Sequence, residues 1–273
     1  MVAPHNRKPR SIAKMSDKVA TLSDALSVLF DKGLRYTTVI DCGCADGHFF
    51  VQHYAMGFLA GAVPLQIDAN WIYESSLKAI TETIGGHYAI TAVADRTGDM
   101  EMTLGAHPYW SSLRGEDDPY WQTVNALHRG KVTVPVTTID TLVRQFNLNG
   151  PFLLKLDLQG AEAAAFRGAA DTLKRTSVVI VEADLNDFRE LDRIMEDAGF
   201  NLFDITEERR IADRSLGWFY PIYLHHRLDS IRRRSFWDTN FNETVIENQK
   251  KRRESILAYN ADVLRKLKAA RGQ

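Results

Sequence analysis

Two segments more than a hundred residues apart follow the same plan. Thr37–Phe49, TTVIDCGCADGHF, is a β-branched and apolar run ending on Asp41, then a turn with Gly43 and Gly47, then an amphipathic stretch. Phe152–Gly168, FLLKLDLQGAEAAAFRG, repeats the strand-then-helix order, with a lone acid, Asp157, where its strand should stop. A strand, a glycine-containing loop and a helix in that order open a nucleotide-type site at the carboxyl end of a parallel strand. The chain is thereby constrained to an α/β architecture with a small-molecule site along the carboxyl edge of its sheet.

The remaining pattern extends this plan. Apolar spacing at Val19, Leu22, Leu26, Leu29 and Phe30 predicts a helix over 16–32. Strands are expected at 36–41, 63–68, 87–94, 152–158 and 177–183, with helices at 46–60, 71–84, 140–146, 161–175 and 186–198. Asn70 is placed to cap the second of these helices and Gly199 to stop the last. An extended stretch covers 131–138. Two closing strands, 200–205 and 218–225, read as a terminal antiparallel pair. The alternation predicts a doubly wound, mostly parallel sheet of the Rossmann-like kind. Between 105 and 130 the rhythm breaks into an aromatic and polar insertion. The expected organisation is a tail and helix at 1–35, a main domain at 36–228 and a basic helical extension at 229–273.

At 273 residues the chain is long enough to bury a substantial core. A net charge of −1 gives no bias toward nucleic acid or anionic membranes, and no apolar run approaches the ~20 residues of a membrane-spanning helix. The basic amino terminus lacks an apolar core of the secretory kind, so a cytoplasmic location is the default. The extension departs from this balance, with eleven Lys or Arg against five acids from residue 231 onward. Such a helix fits a solvated face, a packing arm, a contact between copies of the chain or an anionic partner. The two cysteines, Cys42 and Cys44, are too close for an ordinary disulfide and leave no framework. With His48 they would supply three metal ligands, one short of a structural zinc set.

The acids suggest a ligand. S-adenosylmethionine presents an amino-acid end, a ribose diol and an adenine. Gly43 and Gly47 would let backbone N–H groups approach its carboxylate, and Cys44 lies between them in the same loop. Asp41 would sit beneath the loop and accept from the ammonium or order water. Asp68, ending the next strand, would take the ribose hydroxyls, and Asp95 would meet the adenine amino group. Dinucleotide enzymes use similar parts, but their loop reads GxGxxG, whereas here the spacing is D-x-G-x-x-x-G. Each acid alone would also serve as a cap or a surface charge.

VIDCGCADGHF, LQIDAN, ITAVADRTGDMEMTL, SSL, VPVTTIDTL and LLKLDLQGAEAAAFRGAADTL stand in the order of the FkbM-type methyltransferases, which this chain resembles over 37–183. KLDLQGAE with Gly168 eight residues past Gly160 is similar to the family's K-I-D-V-E-G-A-E…G-A pattern. The resemblance implies a Rossmann-like, S-adenosylmethionine-dependent enzyme that methylates a hydroxyl on a sugar or natural-product-like small molecule. By motif position it implies that Asp41, Gly43 and Gly47 hold the methionine end and Asp68 the ribose. Asp157 and Glu162 fall on the acids of the second motif. Ala45 stands where the family has Asn, and Ala69 where it has Pro.

An alkyl hydroxyl needs a proton acceptor, and Asp157 is the candidate catalytic residue, with His107, His128, His225 and His226 as other bases. Asp157, Glu182 and Asp184 leave open a magnesium site of the kind used by metal-dependent O-methyltransferases. In the insertion, Tyr109, Trp110, Tyr120 and Trp121 would stack on the acceptor, with Arg114, Glu116 and Asp117 as polar handles; the same aromatics would serve equally to pin the loop. Two rivals remain at this point: an NAD(P)-dependent oxidoreductase, and a non-catalytic scaffold whose basic helix binds nucleic acid.

Overall fold

Parallel strands covered on both sides read as continuous apolar runs, and the centre of this chain's sheet is made of three of them. In the computed structural model, which describes residues 19–105, 107–114, 128–210, 215–231 and 243–270, β1 (Thr38–Cys42), β7 (Phe152–Leu156) and β8 (Thr176–Val181) are buried along their whole length. The tail at 1–15 and Tyr120, Trp121, Glu116 and Asp117 lie outside the described residues.

The first unit, Met1–Asp229, opens with α1 (Leu22–Asp31). Thr21 and Asp24 form a capping box there: the Thr21 hydroxyl accepts from the Asp24 N–H, and the Asp24 carboxylate accepts from the Thr21 N–H. After β1 come α2 (His48–Ala55), β2 (Val63–Asp68), a 3₁₀ turn at Trp71–Tyr73, α3 (Glu74–Ile84) and β3 (His87–Ile90). Next are β4 (Ala92–Val93), β5 (Gly98–Gly105), a 3₁₀ turn at Pro108–Trp110, β6 (His128–Thr137) and α4 (Ile139–Gln145). β7 leads to α5 (Glu162–Arg167), α6 (Ala170–Lys174), β8, β9 (Ala183–Asp184), α7 (Phe188–Asp197), β10 (Phe200–Arg210) and β11 (Leu216–His225).

The main sheet has the order β10-β11-β8-β7-β1-β2-β3, with β9 paired to β11. The five strands from β3 to β8 are parallel, and β11 returns antiparallel to β8 and β10. Strand order reverses between β1 and β7, where open α/β sheets bind ligands outside the strands' carboxyl ends. The doubly wound sheet and its terminal antiparallel pair are as the sequence pattern predicts. One apolar core joins Ile40, Leu65, Leu154, Leu156, Val179 and Val181 of the strands to Ile139 and Leu142 of α4, Phe166 of α5 and Met195 of α7.

Three features differ from the sequence reading. The expected strand over 87–94 splits: Thr91 donates from its hydroxyl to the Pro135 carbonyl at 2.9 Å, and the chain passes from β3 into β4 of a separate three-stranded sheet, β4-β6-β5. β5 is a strand that the sequence pattern does not predict, yet Asp99, Met100, Glu101 and Met102 alternate outward and inward as a strand should. The single helix expected over 161–175 breaks at Gly168. A Cβ there would overlap the Ala94 carbonyl oxygen, and the Gly168 carbonyl accepts the Asp140 N–H at 3.0 Å. The second sheet presses on the chain at the point where continuous helix would otherwise run.

The second unit, Ser230–Gln273, contains α8 (Glu243–Ala270), a 28-residue helix. Ile246, Ile256, Leu257 and Tyr259 on it are exposed. No helix among the described residues is long and apolar enough to cross a membrane.

Asp140 fastens the broken helix. Its carboxylate accepts from the N–H groups of Asp171 and Thr172 at 3.0 and 2.8 Å and from the Thr172 hydroxyl at 2.6 Å, closing the first turn of α6. Asp140→Ala should destabilise the protein by about 1–2 kcal/mol. Urea unfolding should show a lower midpoint with an unchanged slope; an unchanged midpoint would deny Asp140 this capping role.

Candidate functional site

At the carboxyl edge between β1 and β7 the chain buries a line of charge. The register pairs Asp41 with Gln66 of β2 on one side and with Lys155 of β7 on the other, so all three side chains leave the same face of the sheet. Lys155 Nζ lies 3.2 Å from Asp41 Oδ1 and 3.5 Å from Asp157 Oδ2. Phe49 of α2 covers it, with the ammonium 5.6 Å from the ring centroid. Asp41 and Gln66 are wholly buried. Burial works to lower the Lys155 pKa, but the charges of Asp41 and Asp157 outweigh it and hold the ammonium above its usual range. Burial pushes Asp41 upward against the opposing pull of Lys155. Lys155 is absent from the sequence-derived site because it stands in a strand otherwise made of Phe and Leu; a lysine inside a buried apolar run was the available signal.

The glycine loop is built by close approach. Gly43, at φ +71°, sits where a Cβ would overlap the carbonyl oxygen of Asp157, and Gly47, at φ +81°, where one would overlap the Gln66 amide. Ala45, the position of the family's Asn, also has a positive φ, of 48°. The N–H groups of Gly43 and Cys44 donate to the Ile67 carbonyl at 2.9 and 3.1 Å, that of Gly47 to Cys44, and that of Ala45 to Asp68 Oδ2 at 2.8 Å. The two glycines therefore admit neighbouring chain, and the N–H groups expected to meet a carboxylate are engaged within the protein. Cys44 is buried and, like Cys42, a free thiol.

Asp68 holds the loop from the next strand. Its second oxygen accepts from Asn70 N–H at 2.8 Å, and burial pushes its pKa up to about 6 against these two hydrogen bonds. Beyond it Tyr73 stacks on Tyr109, with centroids 5.9 Å apart and planes inclined by 13°. The Tyr109 hydroxyl reaches Asp46 Oδ2 at 3.4 Å, so the 3₁₀ turn of the second sheet lies against the glycine loop. Tyr109 and Trp110 are exposed, and His107 caps their turn. Trp121 lies outside the described residues. Asp95 follows β4 in the second sheet rather than ending β3, and pairs with Arg167 at 3.3 Å on the surface. It lines a cavity of about 260 Å³ together with Arg96, Arg114 and Gly160.

Asp157 is the best-anchored acid of the edge. Tyr220 of β11 donates to its Oδ2 at 2.7 Å, and the Gln159 amide donates to its Oδ1 at 3.0 Å and to Glu182 Oε2 at 2.6 Å. Burial works against the charged form, yet Lys155 and the hydrogen bonds from Tyr220, Glu182 and Gln159 hold its pKa below the usual carboxylate range. Burial and the neighbouring Asp157 charge push Glu182 well above its own. Glu162 accepts the Leu158 N–H at 2.7 Å and closes the turn in which Gln159 and Gly160 have φ of 54° and 97°. Asp184 is turned away, capping the next turn through the N–H groups of Asn186 and Asp187. The magnesium set of Asp157, Glu182 and Asp184 therefore does not assemble, and no three metal-holding side chains gather among the described residues. His225 and His226 stand near Ser177, at the opposite edge of the sheet, and are not bases for this centre.

A ligand carrying a ribose and an ammonium finds matching groups here. Asp41 Oδ2, both polar atoms of the Gln66 amide and the Tyr73 hydroxyl are buried with no hydrogen-bond partner, all around the glycine loop. These atoms and Asp68 are the residues that could hold such a cofactor. Lys155→Met would leave Asp41 as an uncompensated buried charge. That substitution should cost about 3–5 kcal/mol in chemical denaturation, and adding Asp41→Asn should recover a large part of it. A double variant no more stable than the single one would show the pair to be uncoupled.

A solved methyltransferase FkbM from Methylobacillus flagellatus matches with 18% identity and a TM-score of 0.41 over 68% of this chain and 43% of its own. The chain thus spans less than half the length of that protein. A Streptococcus pneumoniae protein solved in complex with S-adenosyl-L-methionine matches with 11% identity and a TM-score of 0.38 over 86% of this chain and 90% of its own. A precorrin-6y C5,15-methyltransferase from Geobacter metallireducens matches with 10% identity and a TM-score of 0.36, over 76% and 92%. None of the curated proteins matches the chain. The family described as Methyltransferase FkbM domain matches residues 41–202, more than half of the sequence, and the chain belongs to that family.

Proposed function

We propose that the chain transfers a methyl group from S-adenosylmethionine to a hydroxyl of a small, polyhydroxylated acceptor. The observation that carries this reading is the half-buried Asp157 carboxylate, fixed at the sheet's carboxyl edge with its backbone against Gly43. Asp68 would accept from the ribose hydroxyls, and the free oxygen of Asp41 with the Gln66 amide would lie beneath the ammonium end and meet it through water. Tyr73, whose hydroxyl is buried with no partner, would lie beside the adenine. When bound, the cofactor supplies an electrophilic methyl group.

Asp157 would accept a hydrogen bond from the acceptor hydroxyl and align its oxygen for in-line attack. As the new O–CH₃ bond forms, that oxygen becomes strongly acidic, so a carboxylate of low pKa suffices to take its proton. Such a carboxylate also stays ionised across the working pH range. The exposed Tyr109 and Trp110 would offer stacking surface to the acceptor. The chain's location is proposed to be the cytoplasm.

Thermal unfolding with S-adenosylmethionine, S-adenosylhomocysteine, NAD and NADP in parallel tests the cofactor. At about 100 times its dissociation constant a specific ligand should stabilise by roughly 2.7 kcal/mol. A shift with the two adenosyl-sulfur ligands alone supports this reading; a shift with a dinucleotide alone favours the oxidoreductase, and no shift favours a non-catalytic scaffold.

The acid at 68 also gives the binding a pH signature. Its folded pKa is raised, so the protonated form is the one that folding favours, and that contribution to stability fades as pH rises through about 6. Binding runs the other way, since an acceptor for two hydroxyls must be ionised. S-adenosylhomocysteine affinity measured by calorimetry should be full above pH 6 and fall about tenfold per unit below it. In Asp68→Asn that slope should vanish, together with much of the affinity; a retained slope would place the titrating group elsewhere.

A further inference from the structure

The most heavily bonded group at the carboxyl edge owes one of its bonds to a strand outside the family-matched segment. β11 runs antiparallel beside β9, pairing Trp218 with Asp184 and Phe219 with Ala183, and the next residue turns its hydroxyl into the acid pair. Tyr220 Oη is 2.7 Å from Asp157 Oδ2 and 3.5 Å from Glu182 Oε1. The Gln159 amide bridges the same two carboxyl groups from the other side. Residues 41–202 supply both acids and the amide but not the phenol. We propose that Tyr220 is a positioning residue, which by donating to Asp157 selects it over Glu182 as the ionised partner of the acceptor hydroxyl.

Two acids this close cannot both ionise without cost, and which one keeps the proton depends on the donors around them. Lys155 and Tyr220 both point at Asp157 Oδ2, and Glu182 has no cation within ion-pair distance among the described residues. The charged or titratable groups facing Asp157 are Lys155 and Asp41 from β7 and β1, Glu182 from the β8–β9 junction, Tyr220 from β11 and Glu162 from α5. Of these, Lys155 is shared with Asp41, whereas Tyr220 acts on the acid pair, and unlike the Gln159 amide, which bridges both acids at 3.0 Å or less, it stands closer to Asp157 than to Glu182. The inference rests on the methyl-transfer reading. In that reaction a lone pair of the acceptor oxygen forms the bond to the methyl carbon, the sulfur keeps the pair of the broken S–CH₃ bond, and the O–H bond breaks with its pair left on oxygen and its proton passed to Asp157.

The experiment is a carbon-13 NMR titration of the side-chain carboxyl groups in wild type, Tyr220→Phe and Glu182→Gln, with Asp157→Asn assigning the resonance. S-adenosylhomocysteine binding is measured alongside on the same samples. In wild type Asp157 should titrate below the ordinary carboxylate range. In Tyr220→Phe it should move up by about one unit, the size expected for a lost hydrogen bond to a charged group, while ligand binding persists. In Glu182→Gln it should stay low, because Tyr220 still donates; this arm carries the test if the phenylalanine variant does not fold. An Asp157 titration unmoved in Tyr220→Phe, or restored to the ordinary range in Glu182→Gln, overturns the proposal. Failure of wild type to bind S-adenosylhomocysteine removes the methyl-transfer reading instead, and the titration then shows separately whether the selection exists.

Discussion

The ammonium of Lys155 is the point on which the rest of the carboxyl edge depends. It joins two neighbouring strands by their acids, Asp41 beneath the glycine loop and Asp157 at the mouth of the site. Replacing such a buried ion pair with apolar side chains of similar volume is often neutral for stability, so its value here lies in placement. With Asp157 held, its carbonyl leaves room only for a glycine at position 43, and that contact fixes the level of the loop above it. The loop in turn presents Ala45 to Asp68, so three strand ends are tied into one surface by a charge none of them exposes.

The strand-end acids look alike in sequence and differ in the folded protein. Asp41 is sealed, Asp68 is shared between holding the loop and facing outward, Asp157 is half-open and heavily bonded, and Asp95 pairs on the surface. What separates them is the neighbouring strand. In the middle of a parallel sheet an acid meets side chains from both flanks, whereas after β3 the chain has left the main sheet and Asp95 pairs with Arg167 at the surface.

That distinction marks the limit of what was legible. The doubly wound architecture, the antiparallel closing pair and the edge carrying the site follow from local patterns: apolar runs, glycine turns and acids at strand ends. The Asp68 and Asp157 positions were legible for the same reason. Gln66 and Tyr220 were not, because each acquires its meaning from a partner over twenty residues away in the chain, through strand register that periodicity does not specify, and Lys155 showed only as a lysine in an apolar run, without its partners. The break at Gly168 is likewise tertiary, being imposed by the Ala94 carbonyl. β5 is a different case. Its alternation was present in the sequence, and its two acids obscured a strand with one exposed face.

The place of β11 bears on where the molecule can be divided. β8 is buried at every residue, and on the side away from β7 its backbone groups pair with β11. A fragment ending where the family match ends, at residue 202, would keep the glycine loop and every acid of the carboxyl edge. It would also turn TSVVIV into an open sheet edge that is apolar, uncharged and free of proline, the kind of strand that recruits other chains. The recognisable segment and the foldable one therefore have different ends: the last antiparallel strand, which lies outside the family-matched residues, is what covers the edge of β8.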